Sequence, residues 1–578
     1  MVRPEPETPA GLTSRAQAAM LWAACGDALG WPMEPRGQRV GGTTDLEPNL
    51  SFLEWTRREG GRFSPFQRRV PAGAYSDDTQ LALCVARSLT RGDDWWQHLT
   101  AVELPAWTLY EMGGGGAIKR AARGWAKGTA PWEVTKSADR RKYFSAGANG
   151  VAMRVLPHAI FGAGDTSFDQ VCERIVADGI ATHGHPRALV GALAAGYAMW
   201  TALRWQGKVN YGELIEDCLA ERQAWVRLPE SALAPGWIDA AGEGSDSTFE
   251  AAWARTCEEM VDHLTLCSRA IGKGSLARDE EILDELGAFG KEGGSGTRTA
   301  AAAIYLASRY VAKPAAGLLA AAFARRADTD TLACLSGAML GAFCGEGRVN
   351  GLASDLQDVG YIRDLAAQVA QHNVLSEASD PWAPRARTHI LDALEELEPG
   401  ATVSLPLFGE GRVEASEGPE TRSANEVRIW WLSTQLGQTI AVTRIRKLKP
   451  AATAGPEPAA AQSTWTFLFV RQLPRSLELY RDILGVTVRR LEKHSAVLAG
   501  NIVLEESDRE EPPRSEGLTA PEVIGVFVTE ETLDTLHGRV ADAGYDVSEV
   551  TQGRHGKRFR LRDADGHVVE VCTSPPSR

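Results

Sequence analysis

Two tetrapeptides, Ser76-Asp77-Asp78-Thr79 and Asp328-Thr329-Asp330-Thr331, each set two carboxylates and two hydroxyls within four residues. Oxygen donors of this kind suit hard divalent cations such as Mg²⁺ or Mn²⁺. Each tetrapeptide opens into an apolar, helix-like run, QLALCVARSL after the first and LACLSGAMLGAFCG after the second. Ser, Thr and Asp are also favoured helix N-caps, because their oxygens accept from the free N–H groups of the first turn. Negative charge at that end suits the helix dipole as well. A cap uses one oxygen, however, and each tetrapeptide offers several. Adjacent carboxylates ahead of a buried helix repel one another and are costly unless a cation neutralises them. The residues therefore predict either two helix caps or the two halves of one dinuclear metal site.

The elements that must position these groups are helices. Residues 11–395 are rich in Ala, Leu and Trp with helical periodicity, as in SRAQAAMLWAACGDALG, PRALVGALAAGYAMWTALRW and RTAAAAIYLASRYVA. Strand patterns are nearly absent there, and the segment predicts one all-α domain with Gly-rich loops. The rhythm then changes. ATVSLPLFGEGRVEA, EVRIWWLST and TIAVTRIRKLKP are short β-branched or aromatic runs separated by turns. They predict a small SH3-like β-barrel over residues 400–450. Its last strand carries Arg444, Arg446, Lys447 and Lys449, a basic edge that is either solvated or open to nucleic acid or protein. The Pro/Ala run 451–463 is a linker. A strand–helix–strands pattern then occurs twice across 464–575, predicting an α+β domain of paired βαβββ units.

Composition agrees with a multidomain globular chain. At 578 residues it is too long for one ordinary core. A formal net charge of −13 excludes a protein whose whole surface grips nucleic acid. The longest apolar stretches carry Arg, Asp or Gly too often to span a bilayer, and MVRPEPETPAG has no apolar signal core. The expected location is cytoplasmic, away from membranes. The nine Cys form no CxxC pair and read as small buried hydrophobes of a reducing compartment.

Ahead of the first cluster lies Gly26-Asp27-Ala28-Leu29-Gly30 followed by Glu34, and between the clusters lie Gly147-Ala148-Asn149-Gly150-Val151-Ala152-Met153-Arg154 and then Thr182-His183-Gly184-His185-Pro186. Taken singly, Asp27 can cap or brace a helix, GANG can be a plain turn, and His183 and His185 can be turn residues. As an ordered set with the two acidic clusters, they resemble the ADP-ribosylglycohydrolase family. The resemblance implies an all-α domain with two Mg²⁺ or Mn²⁺ ions and hydrolysis of a ribosyl bond in an ADP-ribosylated protein, nucleic acid or small molecule. It implies Ser76, Asp77, Asp78, Asp328, Asp330 and Thr331 as metal ligands, with Glu34, Asp77 and Asp330 at the chemistry. It assigns Gly147, Asn149, Gly150, Met153, Arg154 and His183 to the ADP-ribose cleft. Arg326-Ala327 stands where the family usually has Gly-Gly. An arginine there would crowd the metals or reach the diphosphate, which keeps a non-catalytic ADP-ribose- or nucleotide-binding protein as the alternative.

LPRSLELYRDILGV and RLRDADGHVVEV in the duplicated unit resemble the glyoxalase/bleomycin-resistance superfamily. Trp465 and Val523 occupy strand positions where a metal-binding His is expected, while Glu570 and Glu505 fall near the carboxylate positions. This domain is therefore expected to be metal-free, with a small-molecule or protein ligand.

Overall fold

The computed structural model describes all residues except 1–8, 35–46, 61–65, 243–247, 291, 349, 375–379, 384, 423–424, 448–465, 471, 485, 492–494, 499–501, 507–522, 528–529, 554–555, 564–567 and 574–578. The chain divides into two compact units, Met1–Pro450 and Ala451–Arg578. The expected linker 451–463 lies outside the described residues.

The first unit is helical. Its principal helices are α1 (Pro9–Gly30), α2 (Asp77–Leu89), α3 (Gly116–Trp125), α4 (Pro186–Arg204), α5 (Gly296–Tyr310), α6 (Thr329–Cys344) and α7 (Val359–Ala370). Helix α6 is buried on every side from Thr329 to Ala342, which is why its sequence is apolar all round rather than amphipathic. It packs against α1, α4 and α5. Against α1 the two backbones nearly touch. A Cβ built on Gly26 would stand 2.2 Å from the Ala333 carbonyl oxygen, and one on Gly30 2.2 Å from that of Thr329. From the other side, a Cβ on Gly337 would stand 2.4 Å from the Trp22 oxygen and one on Gly341 2.7 Å from that of Ala18. Positions fall along α1 as they rise along α6, so the helices run antiparallel. The last turn of α1 thus lies beside the first turn of α6.

Two sheets complete this unit. A hairpin of β1 (Trp55–Glu59) and β2 (Phe66–Val70), which the helical periodicity gave no sign of, pairs antiparallel with Trp55 opposite Val70. The segment expected as a small barrel forms β3 (Thr402–Leu405), β4 (Gly409–Arg422), β5 (Asn425–Thr434) and β6 (Thr439–Lys447), in the antiparallel order β3-β4-β5-β6. Among the described residues it has no hydrophobic cluster of its own. Val403, Leu405, Phe408, Val413, Trp430, Leu432, Ile440 and Val442 join the helical core. Two cations of its basic edge are paired within the chain, Arg444 with Asp392 at 2.9 Å and Arg446 with Glu395 at 2.6 Å, while Lys449 and the Lys447 side chain lie outside the described residues.

The second unit repeats one topology. β7 (Thr466–Val470), β8 (Val488–Leu491), β9 (Ser495–Leu498) and β10 (Ile502–Glu506) form a sheet in the order β7-β10-β9-β8. β11 (Val523–Phe527), β12 (Thr551–Gly553), β13 (Gly556–Arg562) and β14 (Val568–Cys572) follow the same scheme, β11-β14-β13-β12. In each module the first strand runs parallel to the last and the other pairs are antiparallel. This is the duplication read from the sequence. None of the nine cysteines is exposed. Among the described residues, no helix is long and apolar enough to cross a membrane.

Gly337→Ala, distant from the acidic clusters, forces α1 and α6 apart and should cost about 1–3 kcal/mol. Gly360→Ala, at an exposed helical position with open space around it, should leave stability unchanged or higher. Denaturant midpoints of the two variants check this.

Candidate metal centre

The first cluster begins α2. Ser76 is the N-cap, and its Oγ accepts the Asp78 N–H at 3.2 Å. The remaining N–H groups of the turn go to a carboxylate from another helix. Asp27, at the end of α1, accepts from Ser76 N at 3.1 Å, Thr79 N at 3.0 Å and Thr79 Oγ1 at 2.6 Å. Asp27 is completely buried and braces α2. Capping is therefore met by Ser76 and Asp27, and the carboxylates of Asp77 and Asp78 are not consumed by it.

The second cluster begins α6. Asp328 occupies the N-cap position, yet its side chain makes no cap hydrogen bond. Its Oδ2 instead accepts from Asn149 Nδ2 at 3.2 Å. Thr329 Oγ1 donates to the Gly30 carbonyl at 2.8 Å, tying this turn to the end of α1. Thr331 Oγ1 donates to both oxygens of Asp78, at 2.8 and 3.1 Å, so the clusters meet. Glu34, four residues beyond α1, completes the arrangement. Glu34, Asp328 and Asp330 each bring an oxygen within 4.8 Å of the others.

Electrostatics make the two clusters one site. Burial pushes the Asp77, Asp78 and Asp330 carboxyls well above their ordinary range. Neighbouring carboxylates push further: Glu111 and Asp27 act on Asp77, Asp27, Asp77 and Asp328 on Asp78, and Glu34, Asp328 and Asp78 on Asp330. Arg57 is the cation that opposes the shift at Asp77. An all-oxygen donor set with this excess of buried negative charge fits divalent cations, which supply the missing positive charge.

Glu111 and Arg57 are site residues that the sequence did not single out, and Gly113 stands beside them. A Cβ on Gly113, whose φ is +108°, would lie 2.9 Å from Asp77 Oδ1 and 3.1 Å from an Arg57 Nη, so glycine alone fits there. Glu111 accepts from Lys119 Nζ at 2.8 Å and from Gly114 N at 3.1 Å. Glu111 just ahead of Gly113–Gly116 was the available signal. Arg57 had none.

The GANG loop docks on a second Gly-rich loop. Asn149 N donates to the Gly294 carbonyl at 2.9 Å and Gly296 N to that of Gly147 at 3.0 Å. Asn149 Nδ2 also reaches Thr299 Oγ1 at 3.2 Å, so one amide links the loop, α5 and Asp328. Gly147 is half-buried, while Gly150 and Met153 are buried beneath the loop. Arg154 is 0% exposed, which corrects its expected place as a group lining the cleft. It donates to Asp178 Oδ1 at 3.0 Å, the Gly150 carbonyl at 2.7 Å and Thr182 Oγ1 at 2.8 Å, bracing the loop from inside. His183 lies below Gly150, buried, with Nδ1 at 2.8 Å from Thr182 Oγ1. Burial, helped by Arg154, pushes its imidazole down to about 3, so it is neutral. His185 is a helix cap: its Nδ1 accepts the Arg187 N–H at 3.1 Å.

Arg326 does not enter the cluster. It is exposed, 3.5 Å from Asp284 and stacked over Phe289 at 4.6 Å. In the second unit, Glu570 is held by Arg560 at 2.7 Å and Arg558 at 3.3 Å, an ion-pair arrangement. Trp465 and the side chains of Glu505 and Val523 lie outside the described residues.

A family model described as ADP-ribosylglycohydrolase matches residues 8–379, and one described as Glyoxalase/Bleomycin resistance protein/Dioxygenase superfamily matches residues 462–571. A solved ADP-ribosylglycohydrolase-related protein complex is 20% identical, with 63% of this chain and 100% of that one covered and a TM-score of 0.40. A glyoxylase/bleomycin resistance protein/dioxygenase domain from Frankia sp. EAN1pec is 26% identical over 20% of this chain and 100% of its own, with a TM-score of 0.17. The fosfomycin resistance protein FosX from Listeria monocytogenes is 17% identical over 20% of this chain and 91% of its own, also with a TM-score of 0.17. No match was found among curated proteins. With the match spanning most of the first unit and both acidic clusters, the chain belongs to the ADP-ribosylglycohydrolase family and carries a glyoxalase-type domain behind it.

Proposed function

We propose that this chain is a divalent-metal-dependent hydrolase that releases ADP-ribose from an ADP-ribosylated target. The observation that carries this is the meeting of two helix-start acidic clusters in which Asp77, Asp78 and Asp328 are not spent on capping and Asp330 gives one oxygen to the Thr331 N–H. Ser76, Asp77 and Asp78 would hold two Mg²⁺ or Mn²⁺ ions from one side, and Asp328, Asp330 and Thr331 from the other. When bound, such ions align a ribose diol and lower the pKa of a bound water.

The chain's own residues do the rest. Cleavage of the ribosyl C1″ bond passes through an oxocarbenium-like state, which a nearby carboxylate stabilises. Glu34 stands beside Asp328 and Asp330 and can take the proton of the attacking water. Asn149 aims Asp328. The loop at Gly147 offers a surface for the diphosphate, while Asn149, Gly150, Met153, Arg154 and His183 fix its shape from below. Arg326, paired outward with Asp284, leaves the acidic cluster free, which favours turnover over binding alone. The target is an ADP-ribosylated protein, nucleic acid or small molecule. The glyoxalase-type domain, with Glu570 held by two arginines, binds a small molecule or protein partner without metal.

A panel of ADP-ribosylated substrates assayed with the full chain and Mn²⁺ tests the activity. Free ADP-ribose should appear from at least one class. Calorimetric binding of ADP-ribose with no release from any class would instead establish the binding protein. Loss of an outer partner of a metal ligand costs roughly 10–100-fold, so Asp77→Asn and Asp330→Asn should each lower release at least about 100-fold.

The raised carboxyls also set a pH dependence. Folded metal-free protein holds protons on Asp77, Asp78 and Asp330 that the unfolded chain, titrating near 4, has already lost. Stability from these groups is fully present below about pH 4 and is lost as pH rises through their raised values. Metal-free Asp330→Asn should therefore gain in Tm relative to wild type as pH rises from about 5 to about 8. Added Mn²⁺ should reverse the order. A Tm difference that does not change with pH would contradict the shared burial of these charges.

A further inference from the structure

The sheet β3–β6 lies beyond residues 8–379, the span of the family match. It nevertheless grips α2, the helix that presents the first acidic cluster, at both ends. At the far end, Arg87 is buried against Glu103, with Nε and one Nη each donating to a carboxylate oxygen at 2.8 Å. Its other Nη donates to Gln438 Oε1 at 2.7 Å, and the guanidinium stands 5.4 Å from the centre of the Phe408 ring. At the near end, Tyr75, immediately before Ser76, donates its hydroxyl to Asp358 Oδ2 at 2.6 Å. The same oxygen accepts the Thr439 backbone N–H at 2.8 Å. Asp358 sits at φ +59°, a left-handed conformation uncommon for residues with a Cβ, and its partners hold it there. Gln438 and Thr439 are consecutive, so one corner of the sheet fixes both ends of the helix.

We propose that the Gln438–Thr439 corner is a positioning element for the acidic cluster, setting through Arg87 and through Asp358–Tyr75 where α2 presents Ser76, Asp77 and Asp78. This rests on the cluster being a divalent-metal centre. Metal affinity depends on outer partners that hold the ligands in place, and here those partners come from a sheet outside the family match. The working unit of this chain therefore extends to the end of β6.

The test uses the full chain with three substitutions. Tyr75→Phe removes one hydroxyl. Gln438→Met removes the acceptor and keeps side-chain length. Arg446→Ala, at a half-exposed residue elsewhere on β6, is the control. Mn²⁺ affinity is read from the free-ion electron paramagnetic resonance signal, and hydrogen exchange is followed at the Ser76 and Thr79 amides that Asp27 holds. Tyr75→Phe and Gln438→Met should bind Mn²⁺ about tenfold more weakly and exchange faster at these amides, while Arg446→Ala matches wild type in both. Wild-type exchange in both corner variants overturns the inference, whatever the metal does. Faster exchange with wild-type Mn²⁺ affinity overturns it as well. A wild-type chain that binds no Mn²⁺ overturns the metal-centre reading itself, and with it the role of the corner. Tyr75→Phe, which loses a single oxygen, carries the test should Gln438→Met fail to fold.

Discussion

Both acidic clusters hang on the last turn of one helix. Asp27 reaches sideways from that turn and takes the free N–H groups at the start of α2. Gly30 lies against the first turn of α6, held by Thr329. The chain just beyond, at Glu34, is thereby carried to Asp328 and Asp330. Remove the close approach of α1 and α6 and the two clusters become unrelated helix starts. The glycines at 26, 30, 337 and 341 thus permit the approach on which the site depends.

That geometry gathers charge where charge is expensive. Isolated buried carboxylates would shift toward the neutral acid, and the directions found at Asp77, Asp78 and Asp330 say the same. Among the described residues, Arg57 and a few hydroxyl and amide donors face the cluster, too few to neutralise it. Arg154 with Asp178, and Arg87 with Glu103, show the contrasting solution of direct pairing in buried ion pairs. Among the described residues the cluster is short of cations, while α2 pairs its other buried charge through Arg87 and Glu103, and such a site suits a cationic ligand.

Much of this was legible in the sequence because it is local. Asp77, Asp78, Asp328 and Asp330 declare themselves by adjacency and by the apolar runs behind them. The duplicated C-terminal unit declares itself by its repeated rhythm, and its topology repeats strand for strand. What escaped notice depends on distant partners. Arg154 sits in a glycine-rich motif and looks ligand-facing, but Asp178, 24 positions later, holds it inside. Arg326 looks crowded against the metals until Asp284 and Phe289 draw it outward. The strands of 402–447 read as an independent barrel because alternation reports one buried face and not what covers it; helices cover it. The β1–β2 hairpin is too short for alternation to mark.

The central claim is that the two clusters are one dinuclear centre. Equilibrium dialysis of the full chain against Mn²⁺, with electron paramagnetic resonance of the bound ions, tests it most directly. Two ions per chain with spin-coupled spectra, both weakened by Asp78→Asn, are predicted, since Asp78 is the carboxylate bonded across to Thr331. No bound Mn²⁺, or binding indifferent to Asp78→Asn, would contradict the account.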